Sequence, residues 1–295
     1  MHSRLIGNVL GSALLAIVFM SMLSTSGYAQ TTPGLTVISE SDNPGGGTHQ
    51  IVVHSALVGR DFVIVVSPPP MFGSLASPDL KAAGAAQANQ KLPAIYALDG
   101  GYGMAGSIVQ RMVGMGTMSP AYVVSVGYGE GGWHDTDLLY RSATEGGVTY
   151  GGGGAKFRSF LIEELRPFLE ARYPLDPGKA ILFGHSFSGV FAANVLADSP
   201  KAFEGYVIAS PSMWIDRQVL DKLSRDPRND GRRVFIAVGD QEEPRMLDGV
   251  DQLLAVLPSG SIAAKKVFAG GDPISYYPQL VPAAFRWLLP PVKDQ

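Results

Sequence analysis

The sequence contains no cysteine. Disulfide frameworks, thiolate metal sites and a cysteine nucleophile are therefore excluded together. Charge is also scarce: 17% of the residues are Asp, Glu, Lys or Arg, against 46% hydrophobic. That is the reverse of the balance that keeps a chain unfolded. Positive charge is not in excess, since 23 Lys and Arg face 26 Asp and Glu for a net charge of −3. A nucleic-acid partner is excluded on that ground, because such binders present a basic face that displaces counterions. Histidine is limited to His2, His49, His54, His134 and His185, and no pair has the H-E-x-x-H or similar spacing of a zinc site. Neither a metal nor a cofactor is expected. What the chain does have is Gly (36) and Pro (21), which suits many tight strand–helix connections.

The first thirty residues read as something other than the fold. His2 and Arg4 precede an apolar run from Val9 to Met20, and Gly27 and Ala29 stand at the −3 and −1 positions of a cleavage site. A positive start, a hydrophobic stretch and a small-residue cut make an export signal over residues 1–29. The run is too short and too broken by Gly11 and Ser12 to span a bilayer as an anchor. The expectation is a periplasmic or secreted chain, residues 30–295 forming one domain, with no stable membrane insertion after cleavage. A chain of this length is near the upper size of a single core.

Two strands, His49–Ser55 and Asp61–Ser67, open the domain around the turn Val58-Gly59-Arg60, so its beginning is antiparallel. Pro68–Gln90 lacks a sustained apolar face and reads as an inserted surface loop. Beyond it the pattern alternates. Strands are expected at Ala94–Leu98, Tyr122–Val126, Ala180–Phe183, Gly205–Ala209, Val234–Val238 and Lys266–Phe268. Helices are expected at Ala155–Arg172, Phe187–Ala197, Asp216–Leu223, Met246–Leu257 and Gln279–Leu288. Such alternation implies right-handed crossovers and a mostly parallel sheet with helices on both faces, an α/β domain with an antiparallel N-terminal edge.

The residues that carry chemistry start with Gly184-His185-Ser186-Phe187-Ser188-Gly189, between the strand Ala180–Phe183 and an apolar helix. A serine at a sharp strand-to-helix turn projects its hydroxyl from the end of the sheet, and small neighbours let the two backbones approach. The usual pattern is G-x-S-x-G; here Ser188 takes the place of the second glycine, which weakens the signal. Ser186 is the expected nucleophile, and the helix N-terminus supplies the Phe187 N–H for a developing oxyanion. A serine needs a base to take its proton. Carboxylates follow the strand Val234–Val238, with Glu242 preferred as the catalytic acid and Asp240 second. No histidine follows Ser186. His185 should point away from its neighbour. His134, in the loop after Tyr122–Val126, lies on the same sheet edge as a replacement base or a substrate-facing residue.

These blocks resemble the α/β-hydrolase esterase family that includes the periplasmic enterobactin and salmochelin esterases and the esterase D group. The resemblance runs from about Ile51 to Leu289. It rests on Phe157–Phe168 through Arg172-Tyr173-Pro174, on the turn Gly184–Gly189, and on Ala209-Ser210-Pro211-Ser212-Met213-Trp214. It implies the α/β-hydrolase fold and a serine esterase acting on a small-molecule carboxylic ester, a siderophore-type ester among them. Tyr96-Ala97-Leu98-Asp99-Gly100 is similar to the family's Y-x-L-D-G strand end, which places a second oxyanion N–H at Gly100. Glu242 falls in the family's G-x-x-E turn. Trp214 and the Trp133–Tyr140 loop, with His134 and Asp137, are the expected substrate-binding residues.

Three features depart from the family. Its late F-P-G-x-x-H loop corresponds to Phe268–Pro273, which puts Pro273 where the catalytic histidine belongs. Ser188 replaces a glycine, and the loop around Asp137 lacks the family's flanking arginine and its D-x-T-P ending. Pro273 keeps a second reading open, a degenerate hydrolase that binds a ligand without turnover. Two glycine motifs resemble phosphate-binding loops, and the first keeps a third reading open, a nucleotide-cofactor protein. Gly101–Gly106 satisfies G-x-G-x-x-G with Glu130 some way on, but Asp99-Gly100 separates it from the strand and the motif does not open the fold. Gly151–Gly154 lacks the G-K-[ST] order and reads as a flexible connection. The sequence sets no oligomeric state.

Overall fold

The computed structural model describes residues 33–43, 47–70, 90–98, 104–129, 134–225, 231–257, 260–272 and 275–291. Residues 1–29, expected as an export signal, most of the expected loop Pro68–Gln90, and Gly100, Trp133 and Pro273 lie outside the described residues. Three strands come first: β1 (Leu35–Asn43), β2 (Thr48–Ser55) and β3 (Arg60–Ser67). There follow β4 (Leu92–Ala97), α1 (Met104–Gly114), β5 (Tyr122–Tyr128), the single turn α2 (His134–Asp137) and a hairpin of β6 (Ala143–Glu145) and β7 (Val148–Tyr150). Helix α3 (Gly154–Ser159) passes through a π-helical stretch (Phe160–Leu165) into α4 (Arg166–Arg172). The remainder alternates β8 (Leu175–His185), α5 (Phe187–Asp198), β9 (Gly205–Ala209), α6 (Gln218–Arg225), β10 (Arg233–Gly239), α7 (Pro244–Val256), β11 (Ile262–Phe268) and α8 (Tyr277–Leu288).

Nine strands make one sheet in the order β1-β2-β3-β5-β4-β8-β9-β10-β11. The β1, β2, β3 and β5 contacts are antiparallel and all later ones parallel. The antiparallel edge and the mostly parallel remainder are thus as the sequence pattern implies. Central strands such as β9 are buried at every position, as expected where helices cover both faces. One face packs Phe62, Ile64, Val124, Leu182 and Ile208 against Phe157, Phe160, Phe191 and Leu253. The other packs Ile95, Val123, Phe183 and Val207 against Val109, Met112, Leu280 and Phe285. The chain runs from β4 through α1 to β5 on one side, then returns to place β8 on the other side of β4. That reversal makes the carboxyl ends of β4 and β8 a topological switch point, the place where ligands bind in open α/β sheets.

Several elements differ from the sequence expectation. Strand β1 was not anticipated, since all but its first residue are exposed and an edge strand of that kind carries no apolar alternation. Helix α1 occupies the second half of the Gly101–Gly106 motif. The expected single helix Ala155–Arg172 is interrupted by its π-helical turn just before Pro167, at the start of α4. Proline has no N–H to donate and its ring crowds the preceding turn, so the widened stretch accommodates it.

The Gly151–Gly154 run is not a flexible connection. Its four N–H groups bond the carbonyls of Asp135, Leu139, Thr136 and Leu139 again, at 2.8–3.0 Å. A Cβ on Gly154 would lie 2.5 Å from the Tyr140 ring and 2.8 Å from the Tyr140 amide nitrogen. Only glycine permits α2 and its following turn to lie this close to the start of α3. Gly154→Ala is accordingly expected to destabilise the protein by roughly 1–3 kcal/mol through overpacking, read as a lowered midpoint in urea. A flexible linker would register no change.

Candidate active site

Strand β8 ends at His185 and helix α5 begins at Phe187, which leaves Ser186 alone to turn the chain. It does so at φ 60° and ψ −118°, a conformation that side-chain-bearing residues avoid and that persists only when neighbours enforce it. The neighbours are on hand. The Ser186 N–H donates to the Ala209 carbonyl at 3.0 Å, and its own carbonyl accepts from Gly189, Val190 and Ser212 at 3.0–3.3 Å. A Cβ on Gly184 would overlap the Ser188 carbonyl, and one on Gly189 would lie 2.9 Å from the Ala209 carbonyl oxygen.

Ser188, which the sequence pattern marks as a weakness, fastens the turn. Its hydroxyl accepts from the His185 N–H and donates to the His185 carbonyl, both at 2.8 Å. Phe187 opens α5, so its N–H has no acceptor within the helix.

Around this turn stand two aromatic flanks. On the β5 side the His134 ring stacks on Phe187 with centroids 6.2 Å apart, Tyr150 meets Phe187 edge-on at 5.6 Å, and Tyr128 meets His134 edge-on at 6.1 Å. His134 is 42% exposed and its Nδ1 lies 2.9 Å from Asp135 Oδ1. On the β9 side the loop after Ala209 brings Ser212 Oγ to 3.3 Å from Ser186 Oγ. Trp214 follows, with the Arg245 guanidinium 4.0 Å over its ring and Arg245 Nε donating to Glu243 at 2.6 Å. His185 turns away from Ser186, its ring lying 6.1 Å from Tyr276 and 6.4 Å from Tyr277.

The two carboxylates after β10 separate by environment. Glu242 is buried, and its Oε1 accepts the Gly239 N–H at 2.7 Å and the Ser210 hydroxyl at 2.5 Å. Burial pushes its carboxyl above the usual range, while the Ser210 and Gly239 hydrogen bonds pull it down and Asp272 pushes it up. Asp240 is exposed and is spent on the late loop, accepting the Gly270 N–H at 2.7 Å. Ser210, Ser212 and Tyr276 enter the site without having been singled out. The first two lie inside the block Ala209–Trp214, but only the folded loop shows which way their hydroxyls turn.

A family model described as "Putative esterase" matches residues 82–286. The chain belongs to this esterase family. It is 35% identical over 153 residues to the ferri-bacillibactin esterase BesA of Bacillus subtilis (strain 168), covering 48% of this chain and 53% of the relative. It is 40% identical over 77 residues to a siderophore enterobactin esterase of Emericella nidulans, covering 25% of each. The chain therefore aligns with about half the length, or less, of these relatives. Among solved structures, the BES protein from Bacillus cereus superposes with a TM-score of 0.68 at 26% identity, covering 85% of this chain and 99% of that one. An IroE-like serine hydrolase from Shewanella oneidensis shares the fold, with a TM-score of 0.69 at 18% identity over 82% and 80% of the two chains.

Within the esterase frame, Asp137 corrects one expectation. It was expected to face substrate, yet its side chain is fully buried, with Arg60 Nη1 at 3.2 Å from Oδ2. The short α2 turns it inward against Gly153, whose Cβ position would lie 2.6 Å from Oδ1. Asp137 thus braces the element that carries His134. Among the described residues no cluster of three or more His, Asp or Glu is placed to hold a metal.

Burial raises the Asp137 carboxyl to about 6, with Arg60 opposing. The folded protein then holds a proton that the unfolded chain, near the ordinary value of about 3.9, has released. Stability falls as pH rises through that window. Relative to Asp137→Asn, the natural protein should lose roughly 2 kcal/mol between pH 4 and pH 7 in urea unfolding. An unchanged difference would contradict this reading of Asp137.

Proposed function

We propose that this chain is an exported serine esterase that cleaves a carboxylic ester through Ser186. The observation that carries the reading is the strained turn itself. A non-glycine residue at φ 60° between a buried strand and an apolar helix has no role in packing that a glycine would not fill better.

In the proposed reaction Ser186 Oγ attacks the ester carbonyl and its proton passes to the base. The Phe187 N–H takes the developing oxyanion, with Gly100 as the second donor by family resemblance. Collapse releases the alcohol, which takes back the proton, and leaves an acyl-enzyme that water then cleaves. His134 is the proposed base. It stacks over the residue next to the nucleophile, and its Nδ1 already has a carboxylate partner in Asp135, an arrangement that orients Nε2 outward. Glu242 assists from the other flank as a buried negative charge that stabilises the cation the base becomes. Asp240 serves the loop rather than the reaction.

The substrate proposed is a siderophore-type ester. The named relatives are esterases of ferri-bacillibactin and enterobactin, and the flanks Phe187–His134–Tyr150 and Trp214–Arg245 suit an aromatic, anionic acid. Export to the periplasm or medium is part of the proposal and rests on residues 1–29. Pro273 supports the competing reading of a binding protein without turnover.

Hydrolysis of a short-chain p-nitrophenyl ester by the purified mature chain separates the two. Turnover should fall in Ser186→Ala by a factor of about 10³ or more, and His134→Ala should reduce kcat with little effect on KM. Absence of Ser186-dependent turnover would defeat the enzyme reading in favour of the binding protein.

A further inference from the structure

The late loop, where the family resemblance places a histidine, still sends a side chain to the acid. Tyr276 caps the start of α8, is fully buried, and stacks on Phe268 at the end of β11 with centroids 5.0 Å apart. Its phenol is hydrogen-bonded to Ser210 Oγ. Ser210 donates to Glu242 Oε1 at 2.5 Å. A hydroxyl has one proton to give, so with the Ser210 proton committed to the carboxylate, Tyr276 must be the donor to Ser210. Burial raises the phenol well above its ordinary value and keeps it protonated for that role.

The direction of the relay is therefore fixed, from Tyr276 to Ser210 to Glu242. Ser210 is itself held at φ 39°, its N–H bonded to the Ala237 carbonyl at 2.8 Å. It is the only non-glycine residue besides Ser186 with positive φ among the described residues. Two residues on, Ser212 donates its N–H to the Ser186 carbonyl and sets its hydroxyl beside Ser186 Oγ. One short loop, Ser210-Pro211-Ser212, thus touches the acid at one end and the nucleophile at the other. Oε1 of Glu242 is occupied twice, while Oε2 is buried with no hydrogen-bond partner among the described residues.

We propose that Tyr276 and Ser210 are positioning residues that fix the Glu242 carboxylate through Oε1 and leave Oε2 for the proton-transfer assembly at Ser186. This rests on the esterase reading for its purpose, though not for its existence. Among the described residues, the titratable groups that face the Glu242 carboxyl are Tyr276 from the cap of α8 and Asp272 from the loop after β11. Asp240 and Glu243 on its own turn are exposed.

The test is the titration of Glu242 in the full mature chain, followed by carbon NMR with labelled glutamate and assigned by Glu242→Gln. Tyr276→Phe keeps the ring and its stacking and removes only the donor; Ser210→Ala removes the middle of the relay. Loss of a hydrogen bond to the charged form should raise the Glu242 midpoint by about one pH unit. Ser210→Ala should show the full rise, and adding Tyr276→Phe to it should add nothing, because Tyr276 acts only through Ser210. An unmoved midpoint, or shifts that simply sum in the double variant, would overturn the relay.

A parallel arm follows p-nitrophenyl ester hydrolysis, where each variant should move the acid limb of the kcat profile upward by the shift it produces in the Glu242 midpoint, with KM unchanged. A limb that stays in place while the Glu242 midpoint moves overturns the catalytic purpose of the relay. Turnover that persists in Ser186→Ala defeats the esterase reading, and the titration still decides the relay.

Discussion

The structure is organised around a turn that no unassisted serine would adopt. Ser186 reverses direction in a single residue between β8 and α5, at a cost of the order of 1–3 kcal/mol for such a backbone conformation. That strain is borne by specific partners: the Ala209 carbonyl, the missing Cβ of Gly184, and the reciprocal pair of hydrogen bonds between Ser188 and His185. Because Ala209 ends the adjacent strand, the turn also fixes where the Ser210–Ser212 loop begins. The chemistry of the site depends on that geometry being unavoidable.

The sheet order explains why the remaining groups gather there. Strands β4, β8, β9 and β10 are parallel and adjacent, so their carboxyl ends deliver Ser186, the Ser210–Ser212 loop and the Glu242 turn to one edge. The loop after β11 closes on the same edge, where the Gly271 carbonyl accepts the Gln241 N–H and Asp240 accepts the Gly270 N–H. Against the opposite flank, α2 is anchored by the Gly151–Gly154 run and by Asp137 with Arg60, and this sets the His134 ring over Phe187. Loops that look peripheral in the chain are fastened by backbone hydrogen bonds at both ends of the site.

What the sequence made legible follows from the range of each signal. Strands such as Gly205–Ala209 and Val234–Val238 are short apolar runs between turn residues, and they appear where expected. The turn at Ser186 was legible because its glycines and serine are contiguous. Strand β1 was hidden because its side chains face solvent, and α1 was hidden inside a glycine motif that resembles a nucleotide site. Asp137 and Trp214 sit in comparable polar–aromatic loops, and only packing shows that the first points into the protein while the second lies under Arg245. The contacts of Ser210 with Glu242 and Tyr276 join residues far apart in the chain, and a hydrogen bond at such a distance leaves no periodicity to read.

The central claim is that this backbone turn presents an activated serine hydroxyl. The most direct measurement is covalent labelling of the mature chain with a fluorophosphonate, followed by intact mass and peptide mapping. The account predicts a single adduct on the peptide that contains Ser186, lost in Ser186→Ala, with Ser212 unlabelled although its hydroxyl lies 3.3 Å away. No adduct, or one that survives Ser186→Ala, would contradict it.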